Sequence, residues 1–487
     1  MSRKSAIGLA LAAAAAAVVA FVPTSGLSPA AHRLGAIWAA VVVLWITEAL
    51  PLPVTALLAP TAAVLLRVAP ARDAYGPFAD PVIFLLIGSF FLARAFELSG
   101  LGRRLALTLL TLPGIAGRPM RILPAFGAVC FTISMWTSNT ATTALMFPIG
   151  LSLLAAIEPS GNATPAAGPV RGRYASCLLL LCAFGASIGG LATPVGTPPN
   201  LIGLGILERT VGSRPTFLEW MAVGTPLALV LFGFMSLVFL LAVRSDPASR
   251  PHPTPRLLAE RRALGPPSAH ELAVAGVFGL TVLLWVLPGV VALVLGSEAP
   301  ASRALAAALP ESAAALVGAG LLFAIPAGGR PTLTWEEARD IDWGTIVLFG
   351  GGICLGGLLL STGLAEGLAR ALRAAAGITS PLGIVALVTG LAIFLSETSS
   401  NTAAATLIVP VAVALARAAS LDPVVPALAA TAGSSLGFML PVSTPPNAIV
   451  FGSGRIRLLD MVRYGILLDL AGFAAIVGAA HILMHAH

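Results

Sequence analysis

The sequence predicts an all-α polytopic membrane protein: about eleven transmembrane helices in two inverted repeats, each with a re-entrant hairpin and a broken helix. Three observations carry that prediction. Of 487 residues, 57% are hydrophobic and only 10% charged, against roughly 25% charged in soluble domains. Apolar runs of about 20 residues, the length that crosses a bilayer core of about 30 Å, recur along the whole chain. The polar triplet Ser-Asn-Thr appears twice in this apolar background, at 138–140 and 400–402.

Hydropathy, loop charge and Pro/Gly punctuation order the elements. A basic start followed by an apolar run of about 18 residues fits a first helix at 5–22 better than a leader: it is long for one, and no A-x-A site follows. Spans follow at 33–50, 53–69 and 80–98, then an amphipathic stretch at 100–112. An apolar pair, 121–134 and 141–157, flanks the first triplet, and a segment interrupted at its middle covers 174–207. Next come 216–243, a loop at 244–269, spans at 271–295, 304–326 and 343–361, and an amphipathic stretch at 364–375. A second pair (382–395, 403–418), a second interrupted segment (424–454) and a last helix (460–484) complete the chain. The expected organisation is N-terminal scaffold helices (1–79), a first repeat (80–243, hairpin 120–157), a cytoplasmic loop (244–269), further scaffold helices (270–342) and a second repeat (343–487, hairpin 380–418).

Each arm of the two apolar pairs is too short to span, so the pairs read as hairpins with Ser-Asn-Thr at the tip. Non-helical backbone at membrane depth is tolerated only against protein or a water-filled cavity. A polar tip therefore implies a cavity. The repeat rests on three collinear matches: "SNTATTALMFPIGLSLLAA" with "SNTAAATLIVPVAVALARA", "TPVGTPPNLIGLG" with "LPVSTPPNAIVFG", and "IGSFFLARAFELSGLGRRLA" with "GGGICLGGLLLSTGLAEGLA".

Net charge is +7, and Lys4 is the only lysine. The positive-inside rule then places the N-terminus in the cytoplasm of a cell-membrane protein, with Arg244, Arg250, Arg256, Arg261 and Arg262 in one cytoplasmic loop. The hairpins enter from opposite sides, the architecture of many secondary transporters. No basic–aromatic patch for nucleic acid is present. Cys130, Cys177, Cys182 and Cys354 lie in apolar segments at spacings that fit neither disulfides nor a metal site. The six histidines are assigned to loops or the C-terminus, which argues against haem, zinc or an intramembrane enzyme.

Each triplet precedes an apolar helix. Capping alone needs one Ser, Asn or Thr, and three in a row in both halves exceed that need. Helix N-termini favour anions, so two tips meeting near the midplane would present hydroxyls, amides and helix ends to one small anion. In Gly196-Thr-Pro-Pro-Asn200 and Ser443-Thr-Pro-Pro-Asn447 the prolines delete N–H groups and interrupt the helix. The unwound carbonyls suit a hard monovalent cation. No Arg, Lys or His falls within these motifs. Bound cations and helix ends would then neutralise the anion, and cation binding would strengthen anion binding. Among intramembrane carboxylates, functional candidates by default, Glu48 lies at a span end, Glu97 near a solvated cytoplasmic end, and Glu397 beside the second triplet. Glu397 is the best candidate for coupling, with structural hydrogen bonding the stronger reading.

With "WITEALPLPVTALL", "DPVIFLLIGSFFLARAFELSGLG" and "FMLPVSTPPNAIVFGSG" added to these motifs, the chain resembles the divalent anion/sodium symporter family over roughly 33–484. The resemblance implies an elevator-type transporter, a homodimer in the lipid bilayer, taking dicarboxylate, tricarboxylate or sulfate with sodium as the usual co-transported ion and no organic cofactor. It implies substrate contacts from Ser138, Asn139, Thr140, Ser400, Asn401 and Thr402, completed by Thr197, Pro198, Thr444 and Pro445. It implies one sodium site at Ser134, Ser138, Asn139 and Gly196, and another at Ser396, Ser399, Asn401 and Ser443. The expected activity is sodium-coupled import of a C4 dicarboxylate such as succinate, malate or fumarate. The alternatives are a sodium-independent exchanger and a sulfate or citrate carrier.

Overall fold

A computed structural model of the chain describes residues 3–485 apart from 23–25, 158–171, 213, 247, 249–254 and 379. Arg250 of the basic loop lies outside the described residues.

Three helices open the chain: α1 (Arg3–Phe21), α2 (Pro29–Thr47) and α3 (Leu52–Leu65). The short α4 (Ala71–Tyr75) and a 3-10 turn at Gly76–Ala79 lead into α5 (Pro81–Ser99), started by Asp80, whose side chain accepts from the Val82 N–H. The amphipathic α6 (Leu101–Leu110) follows, then the first hairpin, α7 (Pro119–Ser134) and α8 (Asn139–Ile157). The first broken segment is α9 (Arg173–Gly190) with α10 (Pro198–Val211), and α11 (Phe217–Val243) follows.

The middle of the chain holds α12 (Pro255–Ala263), α13 (Ala269–Leu295), α14 (Pro300–Ala308) and α15 (Glu311–Ala324). A two-stranded ribbon, Pro326–Ala327 against Arg330–Pro331, and α16 (Trp335–Ala338) precede α17 (Trp343–Ser361) and the amphipathic α18 (Leu364–Ala376). The second hairpin is α19 (Pro381–Thr398) and α20 (Asn401–Ala418). The second broken segment is α21 (Val424–Gly433) with α22 (Pro445–Phe451), and α23 (Leu458–His485) ends the fold.

Among the described residues ten helices are long and apolar enough to cross a membrane, or eleven when the bent pair α14–α15 counts as one span. Between the two hairpins the described residues hold five segments placed to cross: α9–α10, α11, α13, α14–α15 and α17. An odd number of crossings brings the second hairpin in from the opposite face, which makes the repeat inverted.

Burial separates two kinds of helix. In α9 and α20, 94% and 83% of the apolar window is buried, whereas α11 and α13 bury 28% and 17%. A helix that is apolar all round and enclosed belongs to the core. The hairpins and broken segments therefore form the centre of the molecule, with long apolar helices outside.

Three expectations change. The hairpin arms are longer than the hydropathy reading gave, because Ser396–Thr398 and Asn401–Thr402 continue their helices up to the tip; α19 and α20 reach 18 residues each. The span expected at 304–326 is split and bent by 49° between α14 and α15, where Pro310 interrupts it. Several histidines stand on spanning helices rather than in loops: His32 in the first turn of α2, His270 in the first turn of α13, and His481 inside α23. The first two serve helix packing, with His32 Nε2 2.6 Å from Val19 O and His270 Nε2 2.6 Å from Thr332 O. The four cysteines are buried and free.

Candidate transport site

The two hairpin tips and the two helix breaks line one cavity of about 850 Å³. Its walls include every residue expected to contact substrate: Ser138, Asn139, Thr140, Thr197, Pro198, Ser400, Asn401, Thr402, Thr444 and Pro445. The helices explain the convergence. Asn139, Pro198, Asn401 and Pro445 are the first residues of α8, α10, α20 and α22, so four helix N-termini open on the same space. All four ends carry partial positive charge that favours an anion there, and α8 and α20 add main-chain N–H groups; α10 and α22, which begin with two prolines, add none from those positions.

Capping accounts for only half of the polar caps. Ser138 Oγ accepts from the Ala141 N–H at 3.1 Å, and Thr444 Oγ1 from the Asn447 N–H at 3.3 Å. Thr197 and Ser400, their partners in the opposite pairing, make no cap hydrogen bond with their side chains. Those two hydroxyls line the cavity without a capping duty.

Behind each tip lies an oxygen cluster. In the first half the inward atom of the Asn139 amide sits 2.8 Å from Ser134 Oγ, 3.1 Å from Ala186 O and 3.3 Å from Gly196 O. With NH2 inward, Asn139 has two hydrogens to share among these three acceptors; with oxygen inward, it joins them in an all-oxygen cluster. In the second half Ser396 Oγ stands 2.7 Å from Asn401 Oδ1 and donates to Ser434 O at 2.8 Å. Ser443 Oγ donates to Gly437 O at 2.9 Å and Leu440 O at 2.7 Å.

Of the expected sodium ligands, Ser134, Asn139 and Gly196 therefore come together, as do Ser396 and Asn401, with Ser443 bonded to the adjoining turn. Two do not join: Ser138 is engaged as a cap, and Ser399 Oγ turns back to Leu395 O at 2.7 Å. Reading the sequence missed the main-chain oxygens of Ala186 and Ser434, since side-chain pattern gives no sign of which carbonyls converge.

Several further charged groups bear on the charge balance. Arg94, which the motif reading passed over, lines the same cavity. Its guanidinium is engaged by Glu97 Oε2 (3.3 Å), Asp340 Oδ2 (3.8 Å) and Glu337 O (3.3 Å). Arg330 in turn bonds Glu337 and holds its carboxyl below the usual range. Glu97 is thus half-buried and paired rather than solvated, while Glu48 is exposed at the cavity wall, in left-handed backbone (φ 49°). Glu397 is buried, and its carboxylate accepts from the N–H groups of Met439 (2.7 Å) and Leu440 (3.2 Å). This is the structural role expected of it. Among the described residues no group of three or more His, Cys, Asp or Glu could hold a metal ion.

Inverted hairpins, broken helices and a shared polar cavity inside an apolar bundle define a secondary membrane transporter. The family described as the sodium:sulfate symporter transmembrane region matches residues 3–485, and the chain belongs to this family of divalent anion/sodium symporters. Among similar curated proteins are the sodium-dependent dicarboxylate transporters SdcS of Staphylococcus saprophyticus, 32% identical over 448 residues (90% of this chain, 83% of that one), and of Staphylococcus aureus, 32% identical over 445 residues with the same coverage. The fold is also similar to two solved structures. One is the Alcanivorax borkumensis YdaH transporter, with TM-score 0.59, 16% identity, and 99% of this chain and 98% of that one covered. The other is Neisseria gonorrhoeae MtrF, with TM-score 0.56, 13% identity, and 98% and 95% covered. The protein is a multi-pass membrane transporter and not an enzyme.

Proposed function

We propose that this transporter is a sodium-coupled symporter that imports small dianionic carboxylates of the C4 class, such as succinate, malate or fumarate. The observation that carries the reading is the cavity: four helix N-termini and two uncommitted hydroxyls face it, while its one arginine is already engaged. An anion there meets helix dipoles rather than a guanidinium clamp. The remaining charge is met by sodium in the oxygen clusters behind the tips, at Ser134, Asn139 and Gly196 and at Ser396, Asn401 and Ser443. Hard monovalent cations suit carbonyl, amide and hydroxyl oxygens. Each ion raises the anion's affinity and the anion raises the ion's, which is the reciprocity a symporter needs. The names of the SdcS relatives support both sodium and dicarboxylate.

The hairpins and broken segments act in this reading as one mobile unit that carries the site past α1–α5, α13–α15 and α17, an elevator motion, in a homodimer. With the N-terminus in the cytoplasm, Glu48, Arg94 and Asp340 mark the cytoplasmic mouth, and the cavity is open inward. The test is uptake of labelled succinate into proteoliposomes with and without an inward sodium gradient. Equal uptake in both would remove the coupling. Counterflow in sodium-free buffer would reveal an exchanger, and stronger competition by sulfate or citrate than by unlabelled succinate would reassign the substrate.

A further inference from the structure

The fourth residue of each Thr-Pro-Pro-Asn motif has no part in the site described so far, yet Asn200 and Asn447 are both completely buried. Asn200 Nδ2 donates to Gly190 O at 2.9 Å and Thr193 O at 2.8 Å. Asn447 Nδ2 donates to Gly437 O at 3.0 Å and Leu440 O at 3.0 Å, and lies 3.2 Å from Ser443 Oγ. Gly190 and Gly437, like Thr193 and Leu440, are equivalent positions of the two repeats. The same side chain thus makes the same two bonds across both helix breaks.

The chemistry requires this residue type. Unwinding the helix leaves carbonyls without partners, and a buried carbonyl must find one. The two prolines that follow supply no N–H. One primary amide carries two hydrogens on a single nitrogen and so serves two carbonyls at once. Aspartate has the same shape and no donor. In both residues the amide oxygen makes no hydrogen bond among the described residues, so the donor end is what binds the turn.

The turn so held is the wall of the ion cluster. A Cβ on Gly190 would stand 2.5 Å from Asn139 Oδ1 and 3.0 Å from Gly196 O. A Cβ on Gly437 would stand 3.0 Å from Ser396 Oγ and 3.2 Å from Asn401 Oδ1. The glycine whose carbonyl each asparagine grips is therefore the residue in contact with the cluster. We infer that Asn200 and Asn447 are positioning residues for cation binding: each fixes the unwound turn so that the cluster's oxygens converge, without touching ion or substrate itself. The inference rests on the sodium-coupled reading and adds to it residues outside the expected ligand set.

The experiment measures succinate uptake against sodium concentration in proteoliposomes of Asn200→Asp, Asn200→Ala, Asn447→Asp and Asn447→Ala. Asp keeps the size and Ala removes it; the two share the loss of the NH2 donor. In all four, half-saturating sodium should rise at least fivefold, while half-saturating succinate at saturating sodium and the maximal rate stay within about twofold of wild type. Wild-type sodium dependence in either variant at a site overturns the assignment for that site, as does an equal loss in all three parameters. Where an Ala variant is not recovered as a monodisperse protein, the isosteric Asp variant decides. Sodium-independent uptake by the wild type would instead refute the coupled reading itself, so the two failures are separable.

Discussion

Arg209, in the last turn of α10, holds Asp80 at the start of α5 through a 2.7 Å Nε–Oδ2 ion pair. Asp80 is almost fully buried, and its other oxygen caps α5 through the Val82 N–H at 3.0 Å. In the elevator reading, α10 belongs to the moving unit and α5 to the fixed one. The pair lies at the ends of these helices remote from the cavity mouth, so on that reading it latches the face opposite the opening and breaks on each cycle. Asp80→Asn keeps the capping oxygen and removes the charge. A charged hydrogen bond of this kind is worth about 1.5–3 kcal/mol; even about 1 kcal/mol moves a two-state population by roughly fivefold. The expected result is a population shift away from the inward-open state. It can be read as slower maleimide labelling of Val442→Cys at the cavity, where the four buried native cysteines give little background. Unchanged labelling would show that the pair is no latch.

The hairpin tips give the most direct test of the site. Asn139→Ala removes the inward amide from Ser134, Ala186 and Gly196, and Asn401→Ala removes the oxygen beside Ser396. Each should lower initial succinate uptake at least tenfold, about 1.4 kcal/mol. Because each asparagine borders both cavity and ion cluster, the loss should appear in the sodium and the succinate dependence together. That pattern separates them from Asn200 and Asn447. Wild-type uptake by either variant would take the tip out of the site.

The parts of this site that could be read in the sequence are those that stand out against apolar neighbours. Ser-Asn-Thr and Thr-Pro-Pro-Asn are polar or helix-breaking motifs within long, mostly apolar segments, and their repetition marks them as a pair. What could not be read depends on three-dimensional convergence. The carbonyls of Ala186 and Ser434 carry no side-chain signature, and Asp80 and Arg209 are separated by 129 positions and most of a repeat. Asn200 and Asn447 were visible but passed for the end of a proline loop, because their function lies in a bond to a turn seven to ten residues back. The arm lengths were underestimated for a related reason. Ser and Thr at a helix end lower the hydropathy without ending the helix.

Glu397 offers a test between structure and coupling. Its carboxylate accepts from two buried main-chain N–H groups, those of Met439 and Leu440. Glu397→Ala strands both, at about 1–3 kcal/mol for each unsatisfied group. Glu397→Gln keeps one acceptor oxygen and should lose less. The measurement is the thermal unfolding midpoint in detergent, expected in the order wild type, Gln, Ala. A bracing role leaves sodium-dependent uptake in the Gln variant near wild type once protein amount is normalised. Loss of sodium dependence at full thermal stability would give Glu397 a direct part in coupling.

Close helix contacts make the last prediction. Gly189, on the final turn of α9, has no room for a side chain: a Cβ would run into Phe131 O and lie 2.8 Å from Phe131 Cα on α7. These are backbone atoms and cannot rotate aside, so Gly189→Ala must push α7 from α9. Overpacking of this kind costs typically about 1–3 kcal/mol. The displacement is also directed, because α7 ends at Ser134 and α9 leads to Gly196, two members of the same oxygen cluster. Gly189→Ala should therefore lower the unfolding midpoint and weaken sodium dependence together. Gly233 on α11, where a Cβ meets nothing within 4 Å, serves as the control: Gly233→Ala should leave sodium dependence unchanged and the midpoint no lower, since Ala favours a helix interior over Gly. A Gly189→Ala protein with wild-type stability and sodium response would mean that α7 and α9 can separate without disturbing the cluster, and the rigid coupling of hairpin to broken helix would have to be abandoned.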